Sequence, residues 1–336
     1  MPCGRCSVST MTPATDDVLL DVRGLTTTFP VRSNPAAPAV DDVSFQVKRG
    51  ETLGLVGESG SGKSVTALSI VQLVASPGRI ASGQVLFEGQ DLLRLDDAAM
   101  QRIRGRRIGF IFQEPMVALD PVYTIGAQIE ETLRAHGLAT GAKARRRAIE
   151  LLDAVRIPDP ARRHREYPHQ LSGGLRQRAM IALALTAEPA LVIADEPTTA
   201  LDVTVQAEIL ELLREMRRTF NLALLLITHD LGVIAEMAHR VAVMYSGNIV
   251  EEGTAAEVLR SAAHPYTRAL LASIPGTHQG IRLHAIGGNV PALDRRPAGC
   301  RFAPRCPHRF EPCVAMPPMF AATTGQHTRC FLHGPA

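Results

Sequence analysis

Residues 171–202, LSGGLRQRAMIALALTAEPALVIADEPTTALD, bring three kinds of chemistry into one stretch. Ser172, Gly173 and Gly174 precede an apolar helical segment. A hydroxyl and glycines at a helix start make an anion site from backbone N–H groups and the helix dipole. Residues 191–194 form a short apolar run of the buried-strand kind. The run ends in Asp195 and Glu196, two carboxylates where a buried strand would meet solvent; Pro197 stops the strand and 199–202 turn the chain toward another helix. Phosphoryl transfer asks for positioning and charge neutralisation more than covalent chemistry. The pair therefore divides into an Asp195 that holds Mg²⁺ through water and a Glu196 that orients and deprotonates an attacking water. A nucleoside triphosphate is the substrate that uses all of these groups.

Such a substrate needs a cradle. Residues 57–64, GESGSGKS, fit G-x-x-x-x-G-K-[ST] between a strand-like run at 52–56 and a helix at 65–74, the context the motif requires. Glycines let backbone N–H groups approach phosphates, Lys63 reaches β and γ oxygens, and the Ser64 hydroxyl binds Mg²⁺. Gly57, Ser59, Gly60, Ser61, Gly62, Lys63, Ser64 and Val65 are the expected nucleotide contacts. Alone, the eight motif residues could be an ordinary Gly-Ser turn; with 171–202 downstream that reading falls. Gln113 follows the strand-like IGFIF at 108–112, and its amide oxygen suits the Mg²⁺ shell because a neutral group can move in and out. His229 follows the apolar strand LALLLIT at 222–228, which presents it to the γ-phosphate as sensor and hydrogen-bond donor. A lone histidine is more commonly structural, but its position after an apolar strand in such a chain favours the switch.

The elements that must position these groups follow from periodicity. Residues 18–29 and 39–47 alternate as strands with a Pro/Asn-rich loop between them, a small antiparallel sheet beside the core. Residues 114–185 change character and read as helical throughout, with apolar spacing at 125–133 and 148–155. This predicts a helical subdomain inserted between two halves of an α/β core. Residues 240–252 are a hairpin turning at Ser246-Gly247-Asn248, and 253–261 a short helix that closes the core. HPYT at 264–267 then starts a helix to 273, followed by loop-rich chain, so 261–336 is an appendage to a core spanning 17–260.

The chain resembles the ATP-binding subunits of ABC transporters through GESGSGKS at 57–64, FQEP at 112–115, LSGG at 171–174, LVIADEP at 191–197, ALD at 200–202 and THD at 228–230. It is more narrowly similar to the ATPases of bacterial dipeptide/oligopeptide/nickel importers. That similarity rests on QEPMVALDP at 113–121, YPHQLSGGLRQR at 167–178, HPYTRALLASIP at 264–275 and a Cys-rich tail. It extends over about 18–330; Leu175 stands where this branch more often has Met. The resemblance implies an α/β P-loop (RecA-like) ATPase core with an antiparallel β subdomain, the inserted helical subdomain and a small Cys-rich C-terminal extension. It implies Phe29 stacked on adenine, Gln113 as the lever that reports γ-phosphate to a permease, and Asp202 in contact with a partner chain. Ser172, Gly173 and Gly174 would cover the γ-phosphate held by a second ATPase subunit, a related heterodimer partner being favoured, so the chain alone would be a poor ATPase. Two transmembrane permease subunits, whose coupling helix docks on the helical subdomain, and an external solute-binding protein complete the implied assembly. Peptide uptake is the leading reading and nickel the alternative. A soluble ABC ATPase of ribosome or DNA is disfavoured by the single cassette and the lack of sustained heptads.

The totals agree. The 336 residues carry 36 basic and 33 acidic side chains, a net +3 that is too mild to argue for a nucleic-acid partner. The basic runs at 102–107 and 143–147 read as solvated faces. No apolar run reaches the length of a spanning helix and the first ten residues lack an apolar core, so a peripheral position on the cytoplasmic face of the membrane is expected. Residues 1–16 are polar and expected to be disordered; their Cys3/Cys6 pair lacks a matching pair, and Met11 is an alternative start. In the tail, Cys300, Cys306, Cys313 and Cys330 are spaced C-x5-C-x6-C-x16-C, a metal staple by composition. The spacing lacks the close pairs usual in structural zinc, and Pro307 follows a cysteine as in iron–sulfur sites. Iron–sulfur, zinc and four buried free thiols all stay open on spacing, with His308, His327 and His333 near enough for mixed ligation; the resemblance favours a [4Fe–4S] cluster.

Overall fold

The computed structural model describes residues 17–32, 34–273 and 286–334, the side chains of 34 and 35 excepted. The disorder expected at 1–16, the Cys3/Cys6 pair, Met11 and the end of the 264–275 motif lie outside the described residues.

The first two strands, β1 (Val18–Val31) and β2 (Asn34–Lys48), pair antiparallel from Val18↔Lys48 out to Val31↔Asn34 with several bulges. Of the Pro/Asn-rich loop expected between them, residues 30, 31 and 34–38 are therefore strand. Pro35 and Pro38 are tolerated because β2 is an edge strand, where a missing N–H costs no ladder bond. β3 (Thr52–Val56) leads into α1 (Lys63–Ile70), after which β4 (Arg79–Phe87) and β5 (Gln90–Asp91) complete a four-stranded sheet of order β2-β1-β4-β5. Helix α1 stops before the expected residue 74. Gln72 turns to φ 52, and Arg104 takes up the carbonyls of Val71 (2.8 Å) and Gln72 (3.0 Å). Arg106 bonds Ala187 O and Arg107 the Glu88 carboxylate, so this basic run ties elements together instead of forming a solvated face. In the second run Lys143, Arg145 and Arg146 are exposed, as expected.

After α2 (Asp97–Ile103), β6 (Ile108–Ile111) joins the second sheet and the chain turns helical: α3 (Pro115–Ala118), α4 (Ile125–Ala135), α5 (Gly141–Ala154), α6 (Pro160–Arg163) and α7 (Gly173–Leu185). Loops separate these helices, so 114–185 is helix-rich but not helical throughout. β7 (Leu191–Asp195), α8 (Val203–Phe220), β8 (Ala223–Thr228), α9 (Leu231–Met237), β9 (Arg240–Tyr245) and β10 (Asn248–Thr254) follow, then α10 (Ala255–Arg260) and α11 (Pro265–Ala272). Ser246 (φ 47) and Gly247 (φ 89) make the two-residue β9–β10 turn with both φ positive, the geometry that matches strand twist.

The second sheet has order β11-β12-β10-β9-β3-β8-β7-β6, where β11 (Phe320–Ala321) and β12 (His327–Thr328) come from the tail. Strands β9, β3, β8, β7 and β6 run parallel. β3, β7 and β8 are buried along their whole length, as parallel strands covered on both faces must be. In β8, Leu224 and Leu226 join the core shared with the helices, while Leu225 and Ile227 face the core under the antiparallel sheet. The segment expected as an appendage extends the core sheet instead: β12 pairs Glu251↔Thr328 and Glu252↔His327. The buried Glu251 carboxylate anchors this join, accepting from Ala263 N (2.7 Å), His264 N (2.9 Å) and Gln326 Nε2 (2.7 Å). No helix among the described residues is long and apolar enough to cross a membrane.

Candidate functional site

The C-terminal ends of β3, β7 and β8 open on one cavity of about 1180 Å³. It is lined by Gly57–Val65, Gln113, Glu196, His229 and Phe29, and by Ala39, Leu270, residues 288–293 and Arg296. The loop after β3 can take its path only with glycine at key points. A Cβ at Gly57 would lie 2.1 Å from Met244 O, and Gly60 and Gly62 sit at φ 77 and φ 108. Lys63 turns back over this loop, its Nζ donating to Gly57 O (2.7 Å) and Glu58 O (3.1 Å). Burial pushes the Lys63 ammonium below its usual range, against the pull of Glu196, Asp195 and Glu58.

Ser64 Oγ donates to Asp195 Oδ1 at 3.0 Å, which puts the hydroxyl and carboxylate expected on Mg²⁺ side by side. Asp195 is 6% exposed and burial pushes its carboxyl up, with the Ser64 bond opposing. A polyphosphate beside Lys63 and a divalent cation beside Ser64 and Asp195 would reverse both burial penalties, so the residues fit the group. Glu196 lies at the cavity wall with φ 47, a left-handed conformation that a non-glycine residue adopts at a cost. Its carboxylate accepts from Thr199 Oγ1 (2.9 Å) and Gln113 Nε2 (3.3 Å), and His229 Nδ1 stands 3.3 Å from its other oxygen. Glu196, Gln113 and His229, expected from three distant motifs, thus meet at one point. Phe29 is half-buried against Gly78, where a Cβ would come within 2.4 Å of the ring, and it still lines the cavity.

Ser172, Gly173, Gly174 and Asp202 do not line this cavity. Ser172 caps α7 and Asp202 caps α8, its carboxylate accepting from Val205 N at 3.0 Å. Ser172, Gly173 and Asp202 are exposed. The two loops lie together: a Cβ at Gly174 would meet Val205 at 2.9 Å, and one at Gly173 would meet Leu201 at 3.9 Å. They form a second, outward surface.

In the tail, Cys300, Cys306, Cys313 and Cys330 line one small cavity with His264 and His308, and all four are free thiols. His327 lies away in β12, and His333 is 3.1 Å from Ala263 O. Among the described residues no group of three or more His, Cys, Asp or Glu is drawn together as a metal site. Burial pushes the Cys300 thiol up to about 11 and raises Cys306 and Cys330, while backbone N–H groups aimed at each of these sulfurs favour the thiolate. Four thiols lining one small cavity are the donor type a four-thiolate group uses, but they are not drawn together around a common centre.

Sequence reasoning missed Thr199, which orients Glu196, and the whole contribution of the tail to this cavity. HPYT stood out as a motif and the chain before Cys300 read as loop, but nothing in their spacing shows where they fold back.

A family model for ABC transporters matches residues 40–199, and one for the oligopeptide/dipeptide transporter C-terminal region matches 250–313. A Brucella melitensis protein named for peptide import ATP binding is 50% identical over 326 residues, covering 93% of this chain and 96% of its own. A second from the same organism is 53% identical over 293 residues, 87% of this chain and 88% of its own. The ATP-binding cassette MJ0796, solved as a dimer in a post-hydrolysis state bound to ADP and Pi, superposes with a TM-score of 0.63 at 30% identity, covering 70% of this chain and 98% of that one. For cbiO1 from Clostridium perfringens, part of the ABC transporter complex cbiONQ, the TM-score is 0.61 at 26% identity, covering 73% and 92%.

Proposed function

The chain belongs to the ATP-binding subunits of ABC transporters, in the peptide-import branch, and from that membership we propose that it hydrolyses ATP to drive uptake of di- and oligopeptides through partner permease subunits. The observation that carries the reading is the meeting of Lys63, the Ser64–Asp195 pair and the Glu196 cluster at the ends of β3, β7 and β8. The loop N–H groups and Lys63 would bind the phosphates, and Phe29 would cover the base. Ser64 and Asp195, with Gln113 close by, would hold Mg²⁺, which supplies charge neutralisation when bound. Glu196, held by Thr199, would take the proton of the attacking water, and His229 would donate to the γ-phosphate.

The rest of the assembly is part of the same proposal. Residues 17–260 form the nucleotide-binding domain and 261–336 its extension. Ser172, Gly173, Gly174 and Asp202 face a second ATPase subunit, a related chain, and complete its ATP site; the dimeric form of MJ0796 supports this. The helical subdomain at about 114–185 receives the coupling helix of a membrane subunit, one of two permeases in the assembly, and the exposed Met116, Val117, Val122 and Tyr123 offer apolar surface for that contact. An external binding protein delivers the solute, and the chain sits peripherally on the cytoplasmic face of the membrane. The four thiols hold a [4Fe–4S] cluster, or zinc as the alternative, supported by their convergence on one cavity.

The reading is tested with the chain purified together with its permease and second ATPase subunits in vesicles. Peptide-loaded binding protein is expected to raise ATP turnover several-fold. Stimulation by nickel-loaded binding protein instead would transfer the chain to metal uptake, and no ATP turnover under either condition would overturn the proposal.

A further inference from the structure

Glu58 is the second residue of the phosphate-binding loop, and two side chains from beyond residue 260 hold it. Arg305 Nη1 donates to Glu58 Oε2 at 2.7 Å and Nη2 to Oε1 at 3.0 Å, a bidentate pair. The Tyr266 hydroxyl accepts from Glu58 N at 2.9 Å. Arg305 is itself fixed: its side chain is 5% exposed, its guanidinium lies 5.7 Å from the Tyr245 ring centroid and 6.0 Å from that of Phe302, and its Nε donates to Gly287 O at 2.9 Å. Tyr245, Tyr266 and Phe302 pack against one another with centroids 4.5 to 5.4 Å apart, giving this corner a rigid aromatic floor. On its other side Glu58 uses its carbonyl to hold Lys63 Nζ. Arg305, Glu58 and Lys63 therefore form one unbroken chain from the tail to the phosphate ligand.

We propose that Arg305 and Tyr266 are positioning residues of the ATP site, which act through Glu58. The proposal rests on the reading of the cavity as an ATP site. Two physical effects point the same way. Holding Glu58 at its N–H and its carboxylate fixes the carbonyl that aims Lys63, so the loop does not have to be ordered when the nucleotide arrives. Glu58 is also an acid beside a site for a polyanion, and Arg305 neutralises it; an unpaired carboxylate there would repel the triphosphate. The C-terminal extension thereby becomes part of the machinery that sets ATP affinity.

The test measures Mg·ATP binding on the full chain and steady-state turnover of the chain assembled with its permease and second ATPase subunits. Arg305→Ala is expected to weaken ATP about tenfold or more, with KM rising and kcat at saturating ATP little changed. Arg305→Lys recovers part of the loss, because a point charge neutralises Glu58 without the fork. Glu58→Gln combined with Arg305→Ala recovers most of it, since the repelling charge is gone; a purely architectural Arg305 would show no such recovery. Tyr266→Phe, which loses the acceptor for Glu58 N–H, weakens ATP a few-fold. Should Arg305→Ala not fold, Arg305→Lys and Tyr266→Phe decide the matter: ATP affinity within twofold of wild type in both overturns the proposal. Lys63→Ala separates the two levels. If it abolishes binding while the Arg305 and Tyr266 variants bind normally, the positioning role fails and the ATP site stands. If it binds ATP like wild type, the reading of the cavity fails with it.

Discussion

Asp195 and Glu196 are neighbours in sequence with different surroundings. Asp195 ends β7 inside the protein beside Ser64, where burial opposes its ionisation. Glu196 is turned out by its left-handed backbone, with its N–H held by Ile227 O at 2.9 Å, so its carboxylate reaches Thr199, Gln113 and His229. A residue held in such a conformation by its surroundings is a recurring mark of functional sites, and here the strain aims a candidate base. Glu196→Gln keeps the shape and removes the proton acceptor. Turnover is expected to fall by roughly 10² to 10⁴-fold with ATP affinity retained, the range for loss of a general base. Single-turnover kinetics and equilibrium binding on the same preparation check this; equal turnover in variant and wild type would remove Glu196 from the role.

At the scale of elements, the parallel sheet does the positioning. The groups proposed to act on the nucleotide sit where β3, β7 and β8 end because those ends leave the buried core together, as in open α/β sheets generally. The antiparallel sheet that carries Phe29 must be held against this core, and Glu88 is one tie. It accepts from Arg49 at 2.8 Å, at the end of β2, and from Arg107 at 2.5 Å, before β6. Burial raises the Glu88 carboxyl, but the bonds from Arg49 and Arg107 outweigh it and leave the group below its ordinary value of 4.5. The folded chain thus binds fewer protons at this site than the unfolded chain does. The stabilisation is complete above the ordinary value and disappears as pH falls through the lowered one. Glu88→Gln is expected to cost about 1 kcal/mol at pH 7, the scale of partly exposed ion pairs, and less near pH 3. Urea midpoints at the two pH values measure this, and an equal cost at both would show that charge is not what Glu88 contributes.

For the whole molecule, two surfaces have separate duties. The inward cavity holds one set of nucleotide groups; the exposed Ser172, Gly173 and Asp202 are proposed to serve a partner. The tail is joined to the core through β12 and Glu251 on one side and through Arg305 on the other. Its thiols converge without an assembled metal group, so a metal is expected to bind by drawing in ligands that are already neighbours. On anaerobically purified protein, Cys306→Ser is expected to lose most of the iron and the visible absorbance of a cluster. Unchanged iron and zinc content would take Cys306 out of the ligand set, and wild type without iron but with zinc would replace the cluster by the alternative.

Local chemistry was legible before any fold was seen. GESGSGKS needs glycines, a lysine and a hydroxyl in that order because its contacts are made by consecutive backbone groups, and the apolar runs before Gln113, Asp195 and His229 mark buried strands by composition alone. The hairpin at Ser246-Gly247 is equally local, since its backbone geometry depends on two residues. What spacing could not determine was which distant segments meet. Thr199 reaches Glu196 through a turn, and the Pro/Asn-rich stretch became strand because its position at a sheet edge removed the cost of proline. Helix α1 ended early where Gln72 turns left-handed, and Arg104, far along the chain, holds the carbonyls just past its end. The tail was the largest difference: it read as an appendage because it follows the short helix that closes the core and is rich in loops. Its place against Glu58 depends on long-range pairings, β12 with β10 and Arg305 with the phosphate loop, that leave no periodic trace in sequence. The amino-acid order by itself determined which groups this protein can use on a nucleotide, and the tertiary structure alone decided that its last seventy or so residues help to hold them.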